Sequence, residues 1–133
     1  MNGFLGTYSV SLDDKGRFNV PVKFKVLLEQ GSPQLVVCVM DGFLIVFPQQ
    51  EWGSNEEKLN HLNAFDKTDR TRLREFYAGA TECEIKSGKI LIPATQRLAA
   101  GLKKEVLIVG MSKTFELWDP GRWKEHLGKV IDL

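Results

Sequence analysis

The chain is poor in the features that mark several large protein classes. No apolar run approaches the roughly 18 residues of a membrane span; stretches such as "LVVCVM" (35–40) and "FLIVF" (43–47) are cut short by Asp, Gly or Pro. The first residues, "MNGFLGTYSV", carry neither a basic n-region nor a long h-region, so a cytoplasmic protein without a signal peptide is expected. There are only two cysteines. Cys38 and Cys83 lie in strand-like contexts without metal-ligand or Cys-x-x-Cys spacing, and reduced thiols, buried or half-buried, are expected. His61 and His126 are far apart, so no metal site is expected. Gly-x-Ser-x-Gly and Gly-rich phosphate cradles are missing as well. No catalytic constellation or cofactor follows, and the chain reads as a non-enzyme. An excess of one charge is also lacking, for the net charge is +1. A strong nucleic-acid binder often carries more.

What charge there is gathers locally. Residues 1–28 hold Asp13 and Asp14 against Lys15, Arg17, Lys23 and Lys25, a net +2. Residues 84–104 hold Glu84 against Lys86, Lys89, Arg97, Lys103 and Lys104, a net +4, while the middle (51–77) sums to −1. A field concentrated on one face attracts an anion even when the total is near zero. With 133 residues, 43% of them hydrophobic, the chain can build one compact core.

The two basic regions are also the two halves of an internal repeat. Gly16–Arg17–x–x–Val20–Pro21 aligns with Gly88–Lys89–x–x–Ile92–Pro93 at an offset of 72. "LVVCVMDGFLIVFPQQEW" (35–52) then resembles "EVLIVGMSKTFELWDPGRW" (105–123) at an offset of 71. Each copy predicts a strand (4–12, 80–85), a glycine-containing hairpin turn, and a short strand ending before proline. A short helix opened by Pro21 or Pro93 follows (22–28, 94–99), then a β-hairpin (35–40 with 43–47, 105–110 with 114–118), with Asp41–Gly42 a strong turn signal. A helix closes each copy. Trp52, Leu59, Leu62 and Phe65 give the first such helix its spacing, with Gly53 an expected interruption; Trp123, Leu127 and Ile131 give the second. Between the copies, 69–77 reads as another amphipathic helix, with an Asp66–Arg70 surface pair.

The first turn, Asp13–Asp14–Lys15–Gly16–Arg17, is by itself an ordinary solvated loop. Its recurrence argues for more. A hairpin tip projects Lys15 and Arg17 from a rigid base, and the arginine fork fits phosphate or the O6/N7 edge of guanine. Gly16 permits close backbone approach, and Asp13 is placed to accept backbone N–H bonds or hold the Arg17 side chain. A two-stranded ribbon is narrow enough for a major groove. Trp52, Trp118 and Trp123 suit a core better than base stacking. Arg70, Arg72 and Arg74 suit a solvated helix or a subunit contact.

"LDDKGRFNVPVKFK" (12–25) resembles the signature of the MraZ family, and the likeness extends through "GFLGTYSVSLD", "DGFLIVFPQQEW", "LREFYAGATECEI", "GKILIP", "LKKEVLIVG" and "FELW". It implies an α+β fold of two tandem pseudo-symmetric AbrB/MazE-like swapped-hairpin units of the double-split β-barrel type, with added helices. The units would span 1–52 and 80–123, joined by a helical connector (53–79) and followed by a C-terminal helix (124–133), all in one compact domain. It further implies a bacterial transcription factor that binds short direct repeats in double-stranded DNA at the division and cell-wall gene cluster. The protein would lie at the nucleoid as a ring-shaped homo-oligomer, an octamer or a dodecamer. The family's DNA-contacting arginine falls on Arg17, with Lys15 beside it, and its acidic partner on Asp13. Lys86 and Lys89 are the secondary contacts, and Gly16, Gly88, Pro21 and Pro93 shape the loops. The second motif departs from the family pattern, with Ile85 and Lys89 where an Asp and an Arg are usual. The alternative reading, from a different class, is a non-catalytic protein-interaction module or scaffold, antitoxin-like in character.

Overall fold

A computed structural model describes residues 3–131. Each copy contributes four strands. The first supplies β1 (Thr7–Ser11), β2 (Arg17–Asn19), β3 (Gln34–Met40) and β4 (Phe43–Pro48); the second supplies β5 (Ala80–Glu84), β6 (Lys89–Leu91), β7 (Glu105–Gly110) and β8 (Phe115–Trp118). The helices are α1 (Val22–Glu29), α2 (Gln49–Lys58), α3 (Lys67–Ala78), α4 (Ala94–Ala99) and α5 (Pro120–Ile131). Pro21 and Pro93 stand one residue before α1 and α4 in extended backbone, and their carbonyls accept the first helical bonds, from the Lys25 and Arg97 N–H groups at 2.8 and 3.0 Å. A proline there forfeits no helical donor.

Six strands form one antiparallel sheet in the order β1-β7-β8-β4-β3-β5, and β2 pairs with β6 in a separate antiparallel ribbon. Exchanging the copies (β1 for β5, β3 for β7, β4 for β8) reverses this order and leaves it unchanged. The sheet therefore has a pseudo-twofold between β4 and β8, and β2–β6 obeys the same exchange. The outer strands cross over: β1 pairs with β7 of the other copy, and β5 with β3.

The core fills the space between the sheet, the ribbon and the short helices. Phe18 and Ile90 point inward from the ribbon, Val37, Leu44, Ile108 and Leu117 from the sheet, and Phe24 from α1. Phe24 lies 5.0 to 5.3 Å, centroid to centroid, from the rings of Phe4, Tyr8 and Phe115. Truncation of such a side chain to Ala costs about 3–5 kcal/mol. A smaller cluster on the opposite face of the sheet joins Val36, Cys38 and Phe47 with Trp52. There Trp52 stacks on Phe76 at 4.8 Å, bringing α2 and α3 together. In the second copy Trp118 stacks on Phe43 at 4.4 Å and meets Trp123 of α5 edge-on. All three tryptophans serve packing.

Several expectations need correction. The turn at 13–17 does not close a β1–β2 ribbon, because β1 and β2 belong to different sheets and each finds its partner in the other copy. β1 begins at Thr7, since Gly6 turns the backbone at φ +91° and Phe4 makes only an isolated bridge with Ser112. The helix after β4 runs unbroken through Gly53 and stops at Lys58, which leaves Phe65 93% exposed. One exposed glycine costs such a helix about 1 kcal/mol relative to Ala, which the Trp52 packing outweighs. Asp66 does not pair with Arg70. It caps α3 by accepting the Asp69 N–H at 2.9 Å, while Arg70 reaches the Ala64 carbonyl. Residues 132 and 133, the end of the expected C-terminal helix, lie outside the described residues. Among those described, no helix is long and apolar enough to cross a membrane.

Candidate nucleic-acid interface

The first loop is organised by one carboxylate. After β1, the Leu12 N–H donates to the Lys104 carbonyl of the other copy at 2.7 Å. The loop then closes on itself, with Asp13 N–H to Arg17 O at 2.8 Å and Gly16 N–H to Asp13 O at 3.0 Å. Asp13 Oδ1 accepts the N–H groups of Arg17 (2.8 Å) and Lys15 (3.0 Å), and Oδ2 accepts Arg17 Nε–H at 2.7 Å. These bonds, led by the Arg17 backbone N–H and including the Arg17 side chain, outweigh partial desolvation and lower the Asp13 carboxyl from 3.8 to about 2. The Arg17–Asp13 contact is the one ion pair among the described residues. It uses the Nε–H of a group with five donors and leaves the two η nitrogens as a fork at its end. The Arg17 side chain remains 42% exposed.

The second loop is shorter and has no carboxylate. Lys86 and Lys89 exchange two backbone bonds, each 2.9 Å, around Ser87 (φ +50°) and Gly88 (φ +74°), the pattern of a two-residue type I′ turn. The Ile85 N–H donates to the Pro33 carbonyl, as Leu12 does to Lys104. By hydrogen-bond pattern, then, Ile85 takes the place of Leu12 and Lys86 takes the place of Asp13. A constant offset of 72 sets Ile85 against Asp13 because it misses a one-residue deletion within the turn. The substitution at the organising position is thus a charge reversal, acid to base.

Each loop is latched to the opposite copy. The Ile92 N–H donates to Gly16 O, and the Val20 N–H donates to Gly88 O, both at 2.9 Å. Gly16 sits at φ +89°, and a Cβ there would lie 2.7 Å from Arg97 Nε and 3.0 Å from the Ile92 carbonyl. Arg97 Nε–H in turn bonds that carbonyl at 3.0 Å. At Gly88 the equivalent neighbour is the flexible end of Lys25, whose Cε would lie 3.2 Å from an added Cβ. Lys25 and Arg97 are related by the repeat offset, and each lies beside the loop glycine of the other copy, a placement that nothing in their local sequence shows.

The ribbon joins the two loops. Its register sets Arg17 opposite Leu91, Phe18 opposite Ile90, and Asn19 opposite Lys89. Alternation sends Phe18 and Ile90 into the core, so Arg17, Asn19, Lys89 and Leu91 share the outer face. Arg17 and Lys89 stand diagonally, with Cα atoms about 8 Å apart from strand geometry. Asn19 and Leu91 escape notice in the sequence because only the strand pairing places them on one face with Arg17 and Lys89. Beside the ribbon lies an open groove of about 770 Å³ whose lining includes all four nominated bases, Lys15, Arg17, Lys86 and Lys89. Its other wall carries Glu82 and Glu84 of β5, so anions are favoured on the ribbon side. Cys83 also borders the groove, and burial pushes its thiol up to about 12, far from thiolate chemistry.

The family model described as "MraZ protein, putative antitoxin-like" matches this chain twice, over residues 4–75 and 76–133. The chain is 42% identical to the transcriptional regulator MraZ of Halothermothrix orenii over 125 residues, 93% of this chain and 86% of that protein. Against the protein of the same name from Moorella thermoacetica it is 40% identical over 131 residues, 97% and 90% of the two chains. Against that of Serratia proteamaculans it is 38% identical over 133 residues, 97% and 88% of the two chains.

Proposed function

The chain belongs to the MraZ family, and on that premise we propose that it is a transcriptional regulator that binds double-stranded DNA sequence-specifically through its two loops. The observation that carries this reading is the convergence of Lys15, Arg17, Lys86 and Lys89, drawn from both copies, on one groove beside one ribbon. Arg17, with its Nε held by Asp13, its η fork left over by that bond and its side chain partly exposed, is the base-reading group, and Lys15 supports it. Lys86 and Lys89 act as point charges on phosphate. No step of this function is catalytic.

We assign the two halves, 1–52 and 80–123, to swapped-hairpin units of the AbrB/MazE kind. The crossing of β1 to β7 and of β5 to β3 supports that assignment. In keeping with the family resemblance, the assembled form is a ring of copies at the nucleoid, acting on the division and cell-wall gene cluster. One protomer offers few base contacts, so affinity comes from several loops on one duplex. Head-to-tail neighbours then require direct repeats spaced by about one turn, roughly 10 to 10.5 base pairs.

Gel shifts with the protein's own upstream DNA at two salt concentrations test this. Three repeats in phase should bind about a hundredfold tighter than one repeat, or than three repeats shifted by half a turn. Equal affinity for in-phase and shifted DNA rules out this mode of recognition. A second reading, a protein-interaction module, draws on the exposed Val22, Val26 and Leu98 of α1 and α4. It requires that no salt-sensitive DNA affinity be found.

A further inference from the structure

The outer face of the β2–β6 ribbon holds four side chains, of which the loops account for two. Asn19 is exposed and makes no side-chain hydrogen bond among the described residues. Leu91 is 47% exposed on a surface otherwise polar and basic. They are each other's counterparts in the repeat, an amide in one copy and an isobutyl group in the other. Their inward neighbours, Phe18 and Ile90, are buried, so the backbone beneath them is anchored in the core.

We propose that Asn19 and Leu91 determine base specificity together with Arg17. This deepens the DNA-binding reading and rests on it. The chemistry of each group selects a partner in the major groove. Asn offers a donor and an acceptor that match N6 and N7 of adenine, an arginine fork matches O6 and N7 of guanine, and an apolar side chain fits the thymine methyl. Spacing adds a constraint. Arg17 and Asn19 are two residues apart on one strand, about 6.7 Å at the rise of a β-strand. Stacked bases rise about 3.4 Å per step. A ribbon laid along the groove therefore places the adenine read by Asn19 two base steps from the guanine read by Arg17. Leu91, directly across the ribbon from Arg17, meets a thymine methyl next to that guanine. Lys89, across from Asn19, supplies charge without choosing a base.

The test uses the full chain and its own upstream repeat, with every base pair of the repeat changed in turn. Asn19→Ala should lose about tenfold discrimination at one adenine, two steps from the guanine whose preference Arg17→Ala abolishes, with no change in salt slope. Replacing that adenine with 7-deazaadenine should weaken the parent protein and leave Asn19→Ala unaffected. Replacing thymine with deoxyuridine, which removes only the methyl, should weaken the parent several-fold at one position and leave Leu91→Ala indifferent. Both side chains are on the surface, and melting curves of the variants should match the parent. An unchanged base-preference profile in Asn19→Ala, or the same deoxyuridine response in Leu91→Ala and parent, overturns the inference while the DNA reading stands. Absence of any cognate preference in the parent overturns both.

Discussion

The two loops leave equivalent strand ends, are latched by the same cross-copy hydrogen bond, and end in a base that faces the same groove. They are stabilised by different chemistry. In the first, one carboxylate gathers two backbone N–H groups and the Arg17 side chain, so the cation is held as well as displayed. In the second, a tight turn needs only backbone bonds and glycine geometry, and the position of the acid is taken by Lys86. A group that reads bases must be fixed in direction, because bidentate hydrogen bonds fail when misaligned. A group that neutralises phosphate need only be near. Under the proposed DNA-binding reading, the difference between the loops would be a division of labour between orientation and charge.

The sharpest way to break that comparison is to remove Arg17. Arg17→Ala should abolish preference for the guanine it is proposed to read and lower cognate affinity most of all the variants, since one bidentate arginine contact contributes about 1–3 kcal/mol and the proposed oligomer would repeat the deficit at each site. Thermal unfolding should be almost unchanged, because the side chain is partly exposed at a turn. Cognate affinity retained in the folded variant removes the first loop from its assigned role.

The glycines give the next largest effect, read as stability. Both adopt left-handed backbone, which costs an L-residue about 1–3 kcal/mol when forced. Gly16→Ala should be the worse of the two, because its new methyl meets the Arg97 guanidinium at 2.7 Å and the Ile92 carbonyl at 3.0 Å. The methyl of Gly88→Ala meets a lysine end that can move. Urea unfolding of both variants should show this ranking, and the reverse order would contradict the latch geometry.

Lys89→Ala should be milder still, weakening binding to cognate and unrelated DNA alike. It should reduce the slope of log affinity against log salt by about one for each phosphate that is no longer neutralised. A changed base preference in this variant would give the second loop a reading role.

The smallest effect concerns acid. Asp13 has its carboxyl lowered from 3.8 to about 2, so what it contributes is fully present above about pH 4 and is lost as the pH falls through 2. Amide NMR signals of Lys15 and Arg17 should therefore be flat from pH 8 to 5 and move between about pH 4 and 2. Those of Lys86 and Lys89, with no carboxylate in their turn, should show no matching transition.

Much of this is legible in the sequence. The repeat, the hairpins at 35–47 and 105–118, the helix at 94–99 and the gathering of basic residues at the two turns follow from local patterns, because turn chemistry and residue alternation are short-range properties. The strand partners are not legible. Alternation shows which side chains of β2 are buried, but β1, the nearest neighbour in sequence, and β6, about 70 residues away, offer the same complement of backbone donors and acceptors. The one-residue deletion that sets Lys86 against Asp13 is hidden for the same reason, since only the hydrogen-bond pattern locates it.

The sequence by itself determined that two copies of one unit exist, that each carries a basic glycine turn before a hydrophobe–proline pair, and that no acid in the second turn repeats the role of Asp13. Tertiary structure decided that the copies exchange strands, that Arg97 of one half lies against the loop glycine of the other, and that Arg17, Asn19, Lys89 and Leu91 come to share one face. The physical reason is that burying Phe18 and Ile90 in a common core requires the two short strands to pair with each other. That pairing, which no local pattern encodes, turns every alternate residue of both strands outward together.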